Sequence, residues 1–502
     1  MLAFLEAGGL GAPVEERIET HAAVVLLAGD RAFKMKKAVR YSFLDFSTLG
    51  ERRAALEKEL TLNREVAPEL YLGLVPVVRT EDGGLRLGGE GEVVEWLLEM
   101  RRFPQEARLD HVAARGKLDL RRVEELARIV ADFHRHAPVR TDRGGSISMR
   151  KVVVGNRDDL RALVPDVFPA EEVEDLVAAT DRAFGQVRDL LDVRRGAGRV
   201  RFCHGDLHLG NIVLLDGRPV LFDRIEFDEE LACIDVLYDL AFLIMDLLAR
   251  DLRAHAHRVL QVWNDEMVDD AGLQLLPLFL SLRAAIRAKV TGLGARQEAD
   301  RLRRAADIAR ARHYLRLARE VLEPVPPRVV AIGGRSGTGK SSVALAIAPQ
   351  IDPAPGAMVL RSDVVRKRLF GRRPTEHLPP EAYTPEVSAQ VFETIAQRTA
   401  TLLEAGRSVV CDAVYGRPEQ RRRIEEVARE HRVDFRGFWL TAPEEVCIGR
   451  VRARTHDASD ADEDVVRMQS HTLDESTVEW ERIDAARPLG EVVAEIRARL
   501  GL

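Results

Sequence analysis

Apolar and polar residues alternate along much of the first hundred residues, as they do in strands with one buried face. Residues 22–27 and 31–39 both carry this alternation and are separated by Gly29-Asp30, so they predict a hairpin. One helical pattern, over residues 51–65, follows the hairpin. From about residue 118 to residue 322, apolar side chains mostly recur at helical spacing. This part of the chain therefore predicts a region of strands followed by a mainly helical region.

A proline-rich junction separates this region from the rest of the chain. Three prolines lie between Glu323 and Arg328, just before the β-branched run of residues 329–332. Because proline excludes helix, the helical pattern has to end there. Downstream, strand patterns alternate with helical ones, which is typical of a parallel sheet covered by helices. We predict two domains, an α+β domain over residues 1–322 and an α/β domain over residues 328–502.

Length and composition agree with a globular protein of more than one domain. The chain has 502 residues, of which 46% are hydrophobic and 31% are charged. Since domains usually contain about 100–200 residues, this length predicts about two to four of them. The net charge of −6 provides no global basic field of the kind that drives nonspecific binding of nucleic acid.

Cysteine usage and apolar runs indicate the compartment. Four cysteines lie far apart with no CxxC spacing, which argues against a zinc site and a disulfide framework and favours a reducing cytoplasm. The most apolar stretch, residues 237–248, is interrupted by Asp239 and Asp246 and is shorter than the ~20 residues that span a bilayer. The N-terminal residues lack the basic region and the long apolar run of a secretory signal. We predict a cytoplasmic protein without a membrane segment.

A β-rich island at residues 200–227 carries the first candidate chemistry. Its segment HGDLHLGN is followed by a turn at Asp216-Gly217 and by Asp223 at the end of the next strand pattern. Phosphoryl transfer from ATP needs a carboxylate that orients the attacking hydroxyl, and oxygen ligands that hold magnesium against the phosphates. Asp206, Asn211 and Asp223 have the residue types for these tasks.

The layout of these three residues resembles the catalytic loop and the metal-binding aspartate of protein kinases. The form HGDxxxxN is similar to that of the aminoglycoside phosphotransferase branch, and the resemblance covers most of the first 250 residues in order. It implies a bilobal, protein-kinase-like α+β fold that uses ATP and Mg²⁺. It also implies that Asp206 is the catalytic base, that Asn211 and Asp223 are magnesium ligands, and that Asp239 supports the catalytic loop.

Kinases of this type also hold the ATP phosphates with a lysine from the N-terminal sheet, which a glutamate on a nearby helix orients. The only candidate strand is the segment FKMKK, in which period-two alternation places Lys34 and Lys36 on the same face. We assign the phosphate contact to Lys36, with Lys34 as the alternative. We assign the glutamate to Glu59, with Glu57 nearby in the sequence. The first strands contain no GxGxxG loop, which is a departure from the protein-kinase pattern.

The strand pattern of residues 329–332 leads directly into the segment GGRSGTGKSS and then into an apolar helical pattern. Residues 334–341 fit GxxxxGK[ST], the phosphate loop of P-loop proteins. In such a loop, backbone N–H groups surround the β-phosphate at a helix N-terminus, while the lysine reaches the β/γ oxygens and the serine ligates magnesium. The predicted nucleotide-binding residues are Gly334, Ser336, Gly337, Thr338, Gly339, Lys340 and Ser341.

Two carboxylates follow the next two strand patterns. Asp363 and Arg366 come after the strand pattern at residues 359–361, and Asp412 ends the one at residues 408–411. This arrangement resembles the P-loop kinase group that contains polynucleotide kinases, zeta toxins and chloramphenicol phosphotransferase. The resemblance implies that Asp363 activates the acceptor hydroxyl, that Arg366 lies near the acceptor, and that Asp412 supports magnesium or the acceptor. Asp363 also has the residue type of a helix N-cap.

Members of this group close a basic lid over ATP, and arginines stabilise the charge on the transferred phosphoryl group. Arg450, Arg452 and Arg454 precede an acidic segment, as expected for a lid helix and its loop. Helical spacing places Arg450 and Arg454 on one face, so these two are the predicted catalytic arginines.

The whole chain resembles a fusion of two kinases, each with its own ATP site. The predicted function is transfer of the γ-phosphate of ATP to a hydroxyl acceptor that is a small, sugar-like or nucleotide-like molecule. No set of base-stacking aromatic residues is evident, so a nucleic-acid acceptor has no independent support. The alternative is a regulatory ATP-binding protein in which one nucleotide site gates the other. The intact candidate residues at both sites argue against this alternative.

Overall fold

The computed structural model describes residues 1–19, 22–41, 44–373, 376–453 and 458–502. These residues form two compact units. The first consists of Met1–Asp158 and Arg188–Asp246, and the second of Asp159–Val187 and Leu247–Leu502. The helices of residues 247–322 thus belong to the same unit as the phosphate loop. The division into domains 1–322 and 328–502 stays a prediction.

Twelve strands lie in the described part of the first unit: β1 (Val14–Glu19), β2 (Ala23–Ala28), β3 (Arg31–Lys36), β4 (Arg40–Tyr41), β5 (Leu44–Asp45), β6 (Tyr71–Arg79), β7 (Leu85–Leu87), β8 (Glu92–Arg101), β9 (Val200–Phe202), β10 (Ile212–Leu215), β11 (Arg218–Leu221) and β12 (Cys233–Asp235). Six of them form an antiparallel sheet in the order β1-β2-β3-β8-β6-β7. The predicted hairpin is β2 and β3, in which Ala23 pairs with Lys36 and Ala28 with Arg31.

Eight helices are described up to residue 248: α1 (Leu2–Phe4), α2 (Leu49–Arg64), α3 (Leu109–Ala114), α4 (Leu120–His136), α5 (Gly145–Arg161), α6 (Ala170–Gly196), α7 (Glu229–Ala232) and α8 (Val236–Leu248). A capping box starts α2, because Thr48 accepts a hydrogen bond from the Glu51 N–H and the Glu51 carboxylate accepts one from the Thr48 N–H. This helix packs against β6 and β8 and buries Leu56 and Glu59. It therefore presents a carboxylate to the sheet that contains β3.

The β-rich island folds as the sequence predicts. Strands β10 and β11 pair as a hairpin around Asp216-Gly217, and both turn residues have positive φ angles, 49° and 82°. This backbone matches the twist of a two-residue hairpin and suits an Asp-Gly pair. The loop of residues 203–208 connects β9 to the short 3₁₀ turn Leu209–Asn211, which leads directly into β10. Asp206 and Asn211 thus lie on one short loop that ordered structure holds at both ends.

The second unit contains the helices α9 (Arg253–Met267), α10 (Leu276–Gln297), α11 (Arg301–Glu320), α12 (Lys340–Ile347), α13 (Ser362–Leu369), α14 (Pro385–Glu404), α15 (Pro418–Glu430), α16 (Glu444–Arg452), α17 (Glu463–Thr472) and α18 (Leu489–Leu500). Its strands are β13 (Arg328–Gly334), β14 (Met358–Arg361), β15 (Val409–Asp412), β16 (Asp434–Thr441) and β17 (Glu481–Asp484). They form a sheet in the order β14-β15-β13-β16-β17, and every pair is parallel, which confirms the predicted parallel sheet. The carboxyl ends of β13, β14 and β15 therefore open onto the same edge, where ligands bind in such folds.

Helix α9 covers the outer edge of this sheet. The Gln261 amide donates to Val359 O at 3.0 Å and accepts from Val359 N at 2.8 Å. His257 Nε2 lies 2.8 Å from Ala357 O. A strand at the edge of a sheet leaves one row of backbone groups without a partner. Gln261 takes the place of a neighbouring strand for Val359, so α9 supports the strand that leads to Asp363.

One helical stretch in the described part of the chain, Ala271–Gln297, is long and apolar enough to cross a membrane by length and composition. The apolar window is 72% buried inside the protein. Helix α10, which makes up most of this stretch, packs along α11. A helix with this burial serves as a core helix of the second unit, so the length criterion by itself is weak evidence for a membrane span.

Candidate active sites

The backbone of the HGD loop is held by a buried carboxylate on α8. Asp239 Oδ1 accepts a hydrogen bond from Gly205 N at 2.9 Å, and its Oδ2 accepts one from His204 N at 3.1 Å. His134 Nε2 lies 3.1 Å from the same Oδ2, and both side chains are fully buried. Asp239 therefore holds the backbone of the HGD loop from the buried side, which is the role that the resemblance to kinases implies for this aspartate.

Asp206 and Asn211 are in direct contact at the surface of this loop. Asn211 Nδ2 donates to Asp206 O at 3.0 Å and to Asp206 Oδ2 at 2.9 Å. The Asp206 side chain is 40% exposed, so a substrate can reach its carboxylate. His204 lies beneath the loop with Nε2 at 3.0 Å from Phe222 O, and burial lowers its pKa. His208 caps the 3₁₀ turn by accepting the Gly210 N–H at 3.0 Å. Both histidines thus shape the loop around Asp206.

Asp223 lies just after β11 in a backbone conformation that its surroundings impose. Its φ angle is 60°, which is uncommon for a residue other than glycine. The Asp223 N–H donates to the Tyr71 hydroxyl at 3.0 Å, and the next N–H, of Arg224, donates to Asn63 Oδ1 at 2.8 Å. The Asp223 carboxylate itself is 46% exposed. These contacts fix the backbone while leaving the carboxylate open to solvent, as a metal ligand requires.

Both candidate lysines of β3 reach the buried Glu59. Lys34 Nζ lies 2.6 Å from Glu59 Oε1 and 3.1 Å from Asp223 Oδ1. Lys36 Nζ lies 2.6 Å from Glu59 Oε2 and 2.8 Å from Glu226 Oε1. The Lys34 side chain is 15% exposed, and that of Lys36 is 5% exposed. Lys34 therefore connects the helix glutamate to the candidate metal ligand, whereas Lys36 connects it to a second buried acid.

The charges of this network shift the pKa values of the two glutamates in opposite directions. Burial raises the pKa of Glu59, but the ammonium groups of Lys34 and Lys36 outweigh it and hold the value at about 2. Burial and the neighbouring Glu59 carboxylate raise the pKa of Glu226. Glu57, the other candidate partner, is half exposed and pairs with Arg53 at 2.8 Å. Only Glu59 of the two candidates lies on the face of α2 that meets the lysines.

The phosphate loop lies between β13 and α12, as the motif predicts. Three of its glycines, Gly334, Gly337 and Gly339, have φ angles of 135°, 82° and 93°. A Cβ on Gly337 would lie 2.5 Å from Cys447 O, so the close packing of α16 against the loop requires glycine there. Lys340 Nζ donates to Arg335 O at 2.9 Å, across the concave side of the loop. Of the other predicted nucleotide-binding residues, Ser336 and Thr338 lie in this loop and Ser341 lies in the first turn of α12.

A hydroxyl and a carboxylate meet at the C-terminal edge of the sheet. Ser341 Oγ donates to Asp412 Oδ2 at 2.5 Å. Arg361 Nε lies 3.5 Å from the same oxygen. Mg²⁺ prefers hydroxyl, carboxylate and water oxygens, and Ser341 and Asp412 provide the first two next to the phosphate loop. These side chains therefore fit a magnesium site.

Asp363 and Arg366 line a large cavity together with the phosphate loop. The cavity has a volume of about 1010 Å³ and extends from the phosphate loop to α14 and α15. Asp363 lies in the first turn of α13, while its N-cap position is taken by Arg361. Burial and the Asp412 carboxylate raise the pKa of Asp363. Arg366 donates to Ala382 O at 2.6 Å, and its guanidinium carbon lies 5.1 Å from the centre of the Tyr383 ring.

The predicted lid arginines lie in different surroundings. Arg450, on α16, donates to Thr338 O at 3.3 Å and therefore faces the phosphate loop. Arg452 forms an ion pair with Glu463 at the start of α17. Arg454 lies outside the residues that the structure describes. Of the two arginines that the structure describes, Arg450 is therefore the one that lies next to the phosphate loop.

The sequence analysis did not single out several residues that contact the two sites. Glu226 and Tyr71 complete the first site through contacts across 190 and 152 positions of the chain. Asp460 and Gln469 contact the second site from the segment that leads into α17 and from α17 itself. A buried partner for Lys36 could have been sought among the acids after Asp223. The remaining contacts depend on packing that no local pattern encodes.

Two family models match the chain. One, described as a phosphotransferase enzyme family and abbreviated APH, matches residues 30–275. The other, described as an AAA domain and abbreviated AAA_33, matches residues 329–475. These matches confirm the predicted order of a phosphotransferase-family domain with a kinase-like fold followed by a P-loop domain. They also bear out the predicted fold classes.

Among solved structures, a gluconokinase from Sinorhizobium meliloti 1021 shares 25% identity, and the match covers 36% of this chain and 94% of that chain with a TM-score of 0.27. A choline/ethanolamine kinase family protein from Mesorhizobium loti shares 16% identity, and the match covers 63% of this chain and 97% of that chain with a TM-score of 0.38.

Mycobacterial relatives match nearly the full length of the chain. The uncharacterized protein Rv2004c of Mycobacterium tuberculosis is 30% identical over 480 residues, which cover 94% of this chain and 92% of the relative. The uncharacterized protein Mb2027c of Mycobacterium bovis matches with the same identity and coverage. The chain therefore belongs to the same family as these mycobacterial proteins, and in this chain a phosphotransferase-family domain precedes a P-loop kinase-like domain.

Proposed function

We propose that the protein is an ATP-dependent kinase with two active sites, each of which transfers the γ-phosphate of ATP to a hydroxyl acceptor. The observation that carries the proposal is that each compact unit contains its own set of chemical groups. Each set has a lysine for the phosphates, oxygen ligands for magnesium and a carboxylate for the acceptor. This is the set that phosphoryl transfer requires, since catalysis there consists of positioning and charge stabilisation.

In the first site, Asp206 orients the acceptor hydroxyl and accepts its proton, while Asn211 and Asp223 would hold Mg²⁺. Lys34 rather than Lys36 contacts the ATP phosphates. Lys34 Nζ lies 3.1 Å from the carboxylate of Asp223, which would be a metal ligand, whereas Lys36 is buried and paired with Glu226. Glu59 orients Lys34, and the Lys36–Glu226 pair fastens β3 to the segment that follows Asp223.

In the second site, Lys340 and the backbone N–H groups of the phosphate loop bind the phosphates, and Ser341 and Asp412 would hold Mg²⁺. When bound, Mg²⁺ offsets the charge of the phosphate oxygens, as it does in P-loop proteins. Asp363 accepts the proton of the acceptor hydroxyl. Arg450, which already contacts Thr338 O, stabilises the transferred phosphoryl group, and Arg366 shapes the acceptor side of the cavity.

We further propose that both acceptors are small, sugar-like or nucleotide-like molecules and that the protein works in the cytoplasm. The four cysteines are buried, and none forms a disulfide in the part of the chain that the structure describes. This state suits a reducing compartment.

A screen for acceptors tests the proposal. ATP turnover is measured with sugars, aminoglycosides, nucleosides and RNA ends in the wild type, in Asp206→Ala and in Asp363→Ala. We expect at least one acceptor whose phosphorylation disappears only in Asp206→Ala, and another that disappears only in Asp363→Ala. If ATP turnover does not respond to any acceptor, or if both variants phosphorylate every acceptor at the wild-type rate, the protein is not the kinase proposed. A regulatory ATP-binding protein then explains the two nucleotide sites better.

A further inference from the structure

Residues 458–470, which we name the bridging segment, contact the phosphate loop at one end. Gln469 Oε1 accepts a hydrogen bond from Ser336 N at 2.7 Å. Ser470 Oγ accepts one from Arg335 Nη1 at 2.8 Å. The segment also packs on α16, where Val466 lies in an apolar cluster with Cys447. A nucleotide that binds the phosphate loop therefore binds a surface on which the bridging segment rests.

The other end of the bridging segment contacts the acceptor side of the cavity through Asp460. Its carboxylate accepts hydrogen bonds from Lys367 Nζ at 2.9 Å, from the Tyr383 hydroxyl at 2.6 Å and from Leu378 N at 3.2 Å. His377 Nδ1 lies 3.1 Å away. The Asp460 side chain is 10% exposed, and Lys367 is 1% exposed. Burial raises the pKa of Asp460, but its hydrogen bonds with Tyr383 and Lys367 outweigh the effect and lower it.

Two of these partners, Lys367 and Tyr383, lie near Asp363, the predicted acceptor base. Lys367 lies on α13, one turn after Asp363. Ser459, the neighbour of Asp460, lies beside the Asp363 carboxylate and partly offsets the rise in the pKa of Asp363. Tyr383 ends the 3₁₀ turn Pro380–Tyr383 and lines the cavity. Asp460 thus fastens residues 376–383, which we name the acceptor segment, to the helix of Asp363 and to the bridging segment.

We propose that Asp460 is a positioning residue that couples the acceptor segment to the nucleotide site, so that bound nucleotide orders this segment before the acceptor arrives. The proposal rests on the proposed function of the second site. A ligand that binds only the intact site makes every opening that dismantles the site less favourable. If Asp460 makes the acceptor segment open together with the bridging segment, nucleotide protects both. Without Asp460, the acceptor segment opens alone and nucleotide does not protect it.

Hydrogen exchange measured by mass spectrometry tests this coupling without an identified acceptor. The probe is the nonhydrolysable analogue AMPPNP with Mg²⁺, added to the full chain at about 100 times its dissociation constant. At this concentration, exchange that needs the site to open slows about 100-fold. In the wild type we expect slowing near this value in peptides of both the phosphate loop and the acceptor segment. In Asp460→Asn we expect the phosphate loop to keep its protection and the acceptor segment to lose it.

Three further variants complete the test. Asp464→Asn is the matched control in the same segment, because Asp464 is 89% exposed, and it should behave as the wild type. Lys340→Ala should abolish the protection of both regions. Tyr383→Phe removes one hydrogen bond of Asp460 without removing a buried charge. If Asp460→Asn does not fold, Tyr383→Phe decides, and a smaller nucleotide effect at the acceptor segment supports the proposal. For each variant we compare the exchange rate of the acceptor segment with nucleotide to its rate without nucleotide. A variant that only loosens the segment changes both rates by the same factor and leaves this ratio unchanged, whereas loss of coupling changes the ratio.

The outcomes separate the coupling from the kinase assignment. Full nucleotide protection of the acceptor segment in Asp460→Asn, or in Tyr383→Phe where that variant decides, overturns the coupling. Protection of the phosphate loop alone in the wild type also overturns it but leaves the second kinase site standing. If AMPPNP protects neither region in the wild type, the second site does not bind nucleotide. The proposed function of that site then fails, and the role of Asp460 fails with it.

Discussion

The two lysines of β3 differ in what they contact, and the difference predicts opposite consequences for their replacement. Lys34 connects Glu59 to Asp223, and Lys36 connects Glu59 to Glu226. In Lys34→Met, Glu59 keeps Lys36 as its partner, but the cation beside Asp223, the proposed metal ligand, is gone. In Lys36→Met, Glu59 keeps Lys34, but Glu226 loses its partner. We therefore expect the first variant to lose catalysis and the second to lose stability.

The magnitudes follow from burial. Removing one partner of a buried ion pair costs about 3–5 kcal/mol, and Lys36 and Glu226 are 5% and 7% exposed. The pKa of Glu226 is raised above its usual 4.5 by burial and by Glu59. The carboxylate of Glu226 therefore binds a proton more readily in the folded state than in the unfolded state. The loss of stability in Lys36→Met is therefore largest above the pKa that Glu226 has in the folded state. It becomes smaller as the pH falls towards 4.5 and Glu226 takes up a proton. Lys34→Met should slow transfer by about 10²–10³-fold, the range for losing one preorganised donor.

Urea unfolding at pH 7 and pH 5 measures the stability of each variant. Phosphate transfer is measured in a chain that also carries Lys340→Ala, so that the first site alone contributes. Lys37→Met is the matched control, because Lys37 pairs with the half-exposed Glu19 at 2.6 Å on the other face of the chain. It should change neither property strongly. If Lys36→Met abolishes transfer at unchanged stability while Lys34→Met remains active, the assignment of the two lysines is reversed.

Three further predictions concern the second unit. Asp363→Asn, in a chain that carries Asp206→Ala, should slow transfer by about 10²-fold or more while calorimetry finds unchanged nucleotide affinity, because we propose that the carboxylate acts on the acceptor and not on the nucleotide. Gln261→Ala leaves the N–H and C=O of Val359 without their partner, at about 1–3 kcal/mol for each buried group, so the urea midpoint should fall. Burial lowers the pKa of His257 to about 4, from 6.5. The folded state thus resists protonation, and stability falls by up to about 3 kcal/mol between pH 6.5 and 4. His257→Gln should remove that loss in urea titrations at pH 7 and pH 4.5.

Each of these expectations has a clear contrary result. Transfer by Asp363→Asn at the wild-type rate would mean that another group activates the acceptor. An unchanged urea midpoint in Gln261→Ala would mean that water replaces the amide at the sheet edge. Equal loss of stability at low pH in His257→Gln and the wild type would place the acid-sensitive group elsewhere.

Local sequence patterns predicted those parts of the fold that depend on neighbouring residues. The hairpin of β2 and β3, the hairpin after the HGD loop and the strand before the phosphate loop are visible in alternation and turn residues. The phosphate loop was predictable because its local backbone conformation, with positive φ angles, requires glycines at fixed positions of a short motif. The choice between Lys34 and Lys36 was not predictable, since alternation places both on one face. Only tertiary contacts distinguish them, those of Lys34 with Asp223 and of Lys36 with Glu226.

The contacts that sequence reasoning missed join distant parts of the chain. Asp460 and Lys367 are 93 positions apart, and Gln261 and Val359 are 98 positions apart. An acidic residue before α17 and a glutamine on α9 look like ordinary surface residues until tertiary packing buries them. The helices after residue 247 are a further example of an arrangement that local patterns do not show. Their apolar spacing continues that of the preceding helices, but they belong to the same compact unit as the phosphate loop.

The central claim, that one chain contains two independent kinase sites, is tested most directly by label transfer from γ-labelled ATP into a small-molecule extract. The wild type, Asp206→Ala, Asp363→Ala and the double variant are compared, and the labelled products are resolved by chromatography. We predict that each single variant retains one set of labelled products, that the two sets differ, and that the double variant forms none. If the double variant labels the same products as the wild type, neither carboxylate serves an acceptor and the two-kinase account is wrong.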